Sequence, residues 1–106
     1  MDDTLLLCAL GEMAEALGHS NCNPVSVSLL CLQHGISFDE QGKIMVAFNR
    51  VLQNFKWDEL SVQLFRTAME GEAPIAKEFS DDVVIGFIKA FAKNRIAELY
   101  PFACTL

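Results

Sequence analysis

Basic residues are scarce in this chain. Eight Lys and Arg stand against fourteen Asp and Glu in 106 residues, leaving a net charge of −6, and no two basic residues are adjacent. Nucleic-acid binding draws most of its affinity from clustered Lys and Arg that neutralise phosphates. The composition therefore argues against a nucleic-acid partner.

Other absences narrow the reading further. Only two His occur. No Gly-rich phosphate loop and no Gly-x-Ser-x-Gly turn is present, so no constellation for nucleophilic or phosphoryl chemistry can be assembled. The expectation is a non-enzyme with no cofactor. No segment reaches the roughly 20 apolar residues that span a bilayer, which argues against a membrane protein. The apolar stretch Thr4–Leu10 follows two acids rather than bases, unlike a secretory leader. Cys104 stands third from the end, whereas a prenylation box needs it fourth. Four Cys without a secretory signal suit reduced thiols, so a cytoplasmic location is expected.

Apolar side chains, by contrast, are abundant, at 52%, while charged residues make up 21%, below the usual ~25%. That excludes intrinsic disorder. A chain of this length fits one domain, 1–106, with a limited interior, so part of the apolar surface is expected to face a partner.

The punctuation predicts an all-α protein, a single compact bundle of five to six helices. The first helix runs from about Asp3 to Leu17, with Leu6, Leu10, Met13 and Leu17 on one face and Gly18 as its stop. Asn23 and Pro24 suit the cap and first turn of a second helix ending before Gly35, although Val25–Ser28 alternates as a strand does. Ser37 and Glu40 form a capping-box pattern for a third helix to about Phe55. A fourth spans about Asp58 to Glu70, ended by Gly71, and Ile75–Phe79 allows one short turn. The last starts after Ser80, carries Asp81 and Asp82 in its first turn, and continues to Tyr100-Pro101. Phe48, Leu52, Leu64, Phe87 and Phe91 are the expected core.

His19-x2-Cys22 and Cys31-x2-His34 form a near-mirror set of zinc-type ligands. Ligand atoms around one tetrahedral zinc lie within about 4 Å of each other. If Cys22 to Cys31 is helical, the two pairs stand about 13 Å apart. No metal is therefore expected, and a buried apolar role suits Cys31. Ser37, Asp39, Gln41 and Gly42 match part of a calcium loop, but Phe48 would occupy its bidentate position, leaving at most a degenerate, non-binding EF-hand-like segment. A helix-turn-helix at Gly35 would aim Asp39 and Glu40 at DNA, which repels them. Glu12 and Glu15 read as solvated.

The remaining function is a non-catalytic protein–protein interaction module or regulatory subunit that presents an apolar helical surface and associates with itself. Leu5 and Leu7 lie about 200° apart on the first helix, so one points away from its own bundle. Val83 and Ile85 extend the apolar run of the last helix beyond one face. These four are the expected partner-binding residues, and a second copy of the chain, as a twofold homodimer, is the expected partner. The alternative is a small metal- or redox-linked protein using His19, Cys22, Cys31 and His34.

Overall fold

The computed structural model describes residues 2–20 and 23–106. Among them the chain is 77% helical and contains no strand. Six α-helices occur: α1 (Asp3–Ala16), α2 (Val27–His34), α3 (Phe38–Asn54), α4 (Val62–Glu72), α5 (Asp81–Asn94) and α6 (Tyr100–Ala103). Short 3-10 turns at Trp57–Glu59, Pro74–Glu78 and Ala97–Leu99 connect them. The all-α bundle is the fold that the periodicity predicts.

Local chemistry explains most of the helix ends. Asp2, Ser26, Ser37, Ser61 and Ser80 each accept a backbone N–H from the first turn of the helix that follows, which satisfies one of the four donors a helix start leaves open. Ser37 and Glu40 complete the capping box. At the end of α1, Gly18 takes φ 92°. Its N–H bonds the Glu15 carbonyl, and the next N–H, of His19, bonds that of Ala14. This is a Schellman stop, and it needs the left-handed conformation that glycine adopts freely.

Four expectations about boundaries are corrected. The second helix begins at Val27, not Asn23: Ser26 is the cap, and Asn23 instead closes a tight turn with Ser20. The fourth begins after Ser61 and runs through Gly71 to Glu72, because Ala73-Pro74 supplies the break. The last long helix stops at Asn94 rather than Tyr100. Pro101 then sits in the first turn of α6, where its missing N–H costs nothing, so it helps start a helix instead of ending one. Ser37, Asp39 and Gln41 lie on the cap and first turns of α3 rather than in a loop, which excludes the calcium-hand reading of that segment.

The core lies among α2, α3, α4, α5 and α6. Phe48, Phe65, Phe87 and Phe91 are wholly buried. Phe48 meets Phe65 and Phe91 edge-on at 5.0 and 5.2 Å, and Phe65 continues to Phe102 at 5.4 Å. Edge contacts suit the aromatic quadrupole. Leu52 and Leu64, expected in the core, are half-buried at its margin. The Arg66 side chain, only 13% exposed, donates to the Phe79 carbonyl at 2.9 Å and to Asp81 at 2.8 Å. It thereby ties α4 to the start of α5.

Because Phe48 bridges α3 to both α4 and α5, Phe48→Ala should cost about 3–5 kcal/mol in chemical denaturation, with no compensating collapse. A variant as stable as the parent would show that the aromatic contacts carry little.

Candidate functional site

The compact bundle is elongated along one axis, 45 Å long by 26 and 21 Å across, with a radius of gyration of 13.6 Å, close to the ~13 Å of a compact chain this long. α1 shows why. At 1.5 Å per residue its 14 residues reach about 21 Å, whereas the eight residues of α2 beside it reach about 12 Å. The shorter helix cannot cover the longer one. Ala14 is the one buried residue of α1.

The face expected to pack inward is therefore largely open. Leu6, Met13 and Leu17 are exposed, Leu17 by 76%, and Leu10 is half-buried. Between α1 and α2 lies an apolar concavity of about 440 Å³, floored by Leu10, Ala14 and Leu29 and edged by Met13, Leu17 and Leu32. A second, of about 310 Å³, is lined by Asp3, Leu6, Leu7, Leu10 and Leu32. Leu10 and Leu32 belong to both, so the two form one groove along α1.

The expected partner-binding residues fall in different places. Leu5 is 67% exposed and Leu7 36% exposed. Leu7 lines the groove, while Leu5 projects on the other side of α1, about 100–160° from the groove residues Leu6 and Leu7. Val83 and Ile85 are half-buried on α5, Val83 against the core, and neither lines the groove. Leu32 is the residue that the sequence reading missed. The signal was present in Leu29-Leu30-Cys31-Leu32, since four successive apolar residues cannot share one helix face.

The loop between α1 and α2 fixes the groove's geometry. His19 is buried, its Nδ1 accepting the Val25 N–H at 3.1 Å and its Nε2 lying 3.2 Å from Gln33 Oε1. With Nδ1 an acceptor, Nε2 carries the proton and donates to Gln33. Asn94 at the end of α5 accepts the Val27 N–H at 2.8 Å, and Lys93 donates to Asn23 at 2.9 Å. These bonds clamp the loop to the bundle.

The zinc-type residues behave differently from the spacing argument. α2 starts too late for a continuous helix from position 22, so the 13 Å separation does not apply. The loop instead returns His19 to the side of α2 that carries Gln33. Cys31 and His34 lie about 160° and 100° around the helix from Gln33. Cys31 is buried against Gln41, whose Nε2 is 3.6 Å from its sulfur, and burial pushes its thiol pKa up. That disfavours the thiolate a metal or a nucleophile needs. His34 packs edge-on against Phe79 and Phe87 at 5.5 and 5.8 Å. Cys22 lies outside the described residues. Among those described, no three His, Cys, Asp or Glu gather as metal ligands, and no helix is long and apolar enough to cross a membrane.

No protein-family model matches this chain, no curated protein is detectably similar to it, and no solved structure matches it.

Two outcomes follow from these placements. Burial lowers the His34 pKa below its ordinary 6.5. As pH falls, the unfolded chain takes up that proton first, so stability is full above about 6.5 and declines as pH drops toward the folded value. Thermal melting between about pH 7.5 and 5.5 should show this decline, and His34→Gln should flatten it. Zinc added to the reduced protein should leave the melting temperature unchanged. A stabilisation abolished by His19→Ala would reveal a site on that loop.

Proposed function

We propose that this protein is a non-catalytic interaction module that presents the α1–α2 groove to another protein chain. One observation carries the reading. Leu6, Leu7, Met13, Leu17 and Leu32 are all exposed along the groove of one two-helix arm. Together they offer on the order of 500 Å² of apolar surface, toward the upper end of what one patch on a monomer shows. That is a large part of the ~800 Å² each partner contributes to a standard interface. The groove lining is apolar apart from Asp3, Ser26 and Ser28, which suits recognition by packing rather than chemistry.

In isolation the same surface pairs two copies of the chain, and twofold symmetry is the commonest closed arrangement. An antiparallel pairing of the two α1 helices is favoured, because a parallel one would bring Asp2 and Asp3 of both copies together. Cys8, Cys31 and Cys104 are free thiols, which supports a reducing compartment, and we place the protein in the cytoplasm.

Sedimentation at micromolar concentration tests the reading. The parent should show a concentration-dependent dimer, and Leu6→Ser with Leu17→Ser should leave a folded monomer. Both positions are exposed, so the helix content should not change. A parent that stays monomeric at every concentration, or a double variant that still dimerises, would remove the groove from the account.

A further inference from the structure

The charge of this chain is unevenly placed. No Lys or Arg precedes Lys43. Residues 1–42 carry six acids, Asp2, Asp3, Glu12, Glu15, Asp39 and Glu40, while the eight acids of residues 43–106 balance the eight Lys and Arg there. Four of those six, Asp2, Asp3, Glu12 and Glu15, lie on α1 or its cap, while Asp39 and Glu40 lie on α3, where Asp39 pairs with Lys43 at 3.1 Å. Asp3 lines one end of the groove. Glu12 and Glu15 are exposed on the far side of α1 and act through the field rather than by contact.

We infer that the α1–α2 groove takes an amphipathic helix of a different protein, with apolar anchors on one face and Lys or Arg along its margins, in preference to a second copy of this chain. The inference rests on the groove being an interaction surface, as proposed above, and names its occupant. The shape selects a helix. The groove runs along about 21 Å of α1, the length of four turns, with α2 walling about 12 Å of it, and its apolar lining matches anchors spaced i, i+3 or i+4, i+7. The charge selects the partner. A second copy brings Asp2, Asp3, Glu12 and Glu15 of its own α1 into a field already negative, with no cation on that arm to offset them. A basic-edged helix brings the opposite sign, which raises the association rate and suppresses the self-pair.

The test uses three synthetic 18-residue peptides and the full chain. One is an amphipathic Leu/Lys helix, one its Leu/Glu twin, and one a Leu/Lys scramble of the same composition without an apolar face. Binding is read by fluorescence anisotropy of the labelled peptide at low and at high salt. The Leu/Lys helix should bind at least tenfold tighter than either control, lose affinity in salt, and dissociate any self-pair.

Met13→Asp with Leu32→Asp separates groove binding from adsorption to an acidic surface. The variant is more acidic than the parent, so an adsorbed peptide binds it more tightly, whereas a groove-seated peptide binds at least tenfold more weakly. Both sites are more than half exposed, and Met13→Ala with Leu32→Ala serves if the acidic pair disturbs folding. Equal binding of the Leu/Glu twin would overturn the inference. So would undiminished binding to the acidic variant. A dimer that forms through Leu6 and Leu17 but ignores all three peptides would overturn the inference and leave the interaction surface standing. Neither self-pairing nor peptide binding would overturn both.

Discussion

Phe48 holds the molecule together. It is wholly buried on α3 and meets Phe65 of α4 and Phe91 of α5 edge-on, while Phe65 passes the contact on to Phe102 of α6. One side chain thus sets the relative positions of the three longest core helices, and a second brings in the C-terminal turn. Everything else on the bundle is arranged around that cluster. Arg66 secures the turn between α4 and α5 that the cluster requires, and α2 lays Leu30, Val27 and Cys31 against its open side. By the time α2 is seated, no core surface remains for α1.

That leaves α1 as an arm. It is joined through a loop clamped by His19, Asn94 and Lys93, so the arm is held in place by polar bonds at its base and by Ala14, Leu10 and Leu29 along part of its length. Polar clamps of this sort specify position and add modest stability, about 0.5–1.5 kcal/mol each. Apolar burial is what they do not supply, and that deficit is the groove.

Hydrophobic and electrostatic effects act on different questions here. In the interaction we propose, the apolar area decides whether a helix binds at all, because burial is the main favourable contribution to association. Charge decides which helix. Two unit charges 10 Å apart in water interact by only about 0.4 kcal/mol, and a Debye length near 8 Å at physiological salt cuts this further. Four acids on one arm, Asp2, Asp3, Glu12 and Glu15, are therefore too weak to provide affinity, yet sufficient to rank partners of equal apolar area.

The sequence by itself determined the helices. Periodicity and the caps Ser37 and Ser80 are local properties, set by neighbours within four residues, and the core aromatics Phe48, Phe87 and Phe91 follow from those stripes. Local ambiguity produced the errors. Asn23 and Ser26 are both good caps, and the choice fell to Asn94, which receives the Val27 N–H from 67 residues away. Gly71 is tolerated inside α4 because Ala73-Pro74 ends the helix more firmly. Only the tertiary structure decided which apolar stripe is covered. Leu6, Leu10, Met13 and Leu17 show the same spacing as a core face, and nothing in that spacing records that α2 is nearly 10 Å shorter than α1. An inward face and a docking face carry the same periodicity. They differ in whether another part of the chain is long enough to bury them.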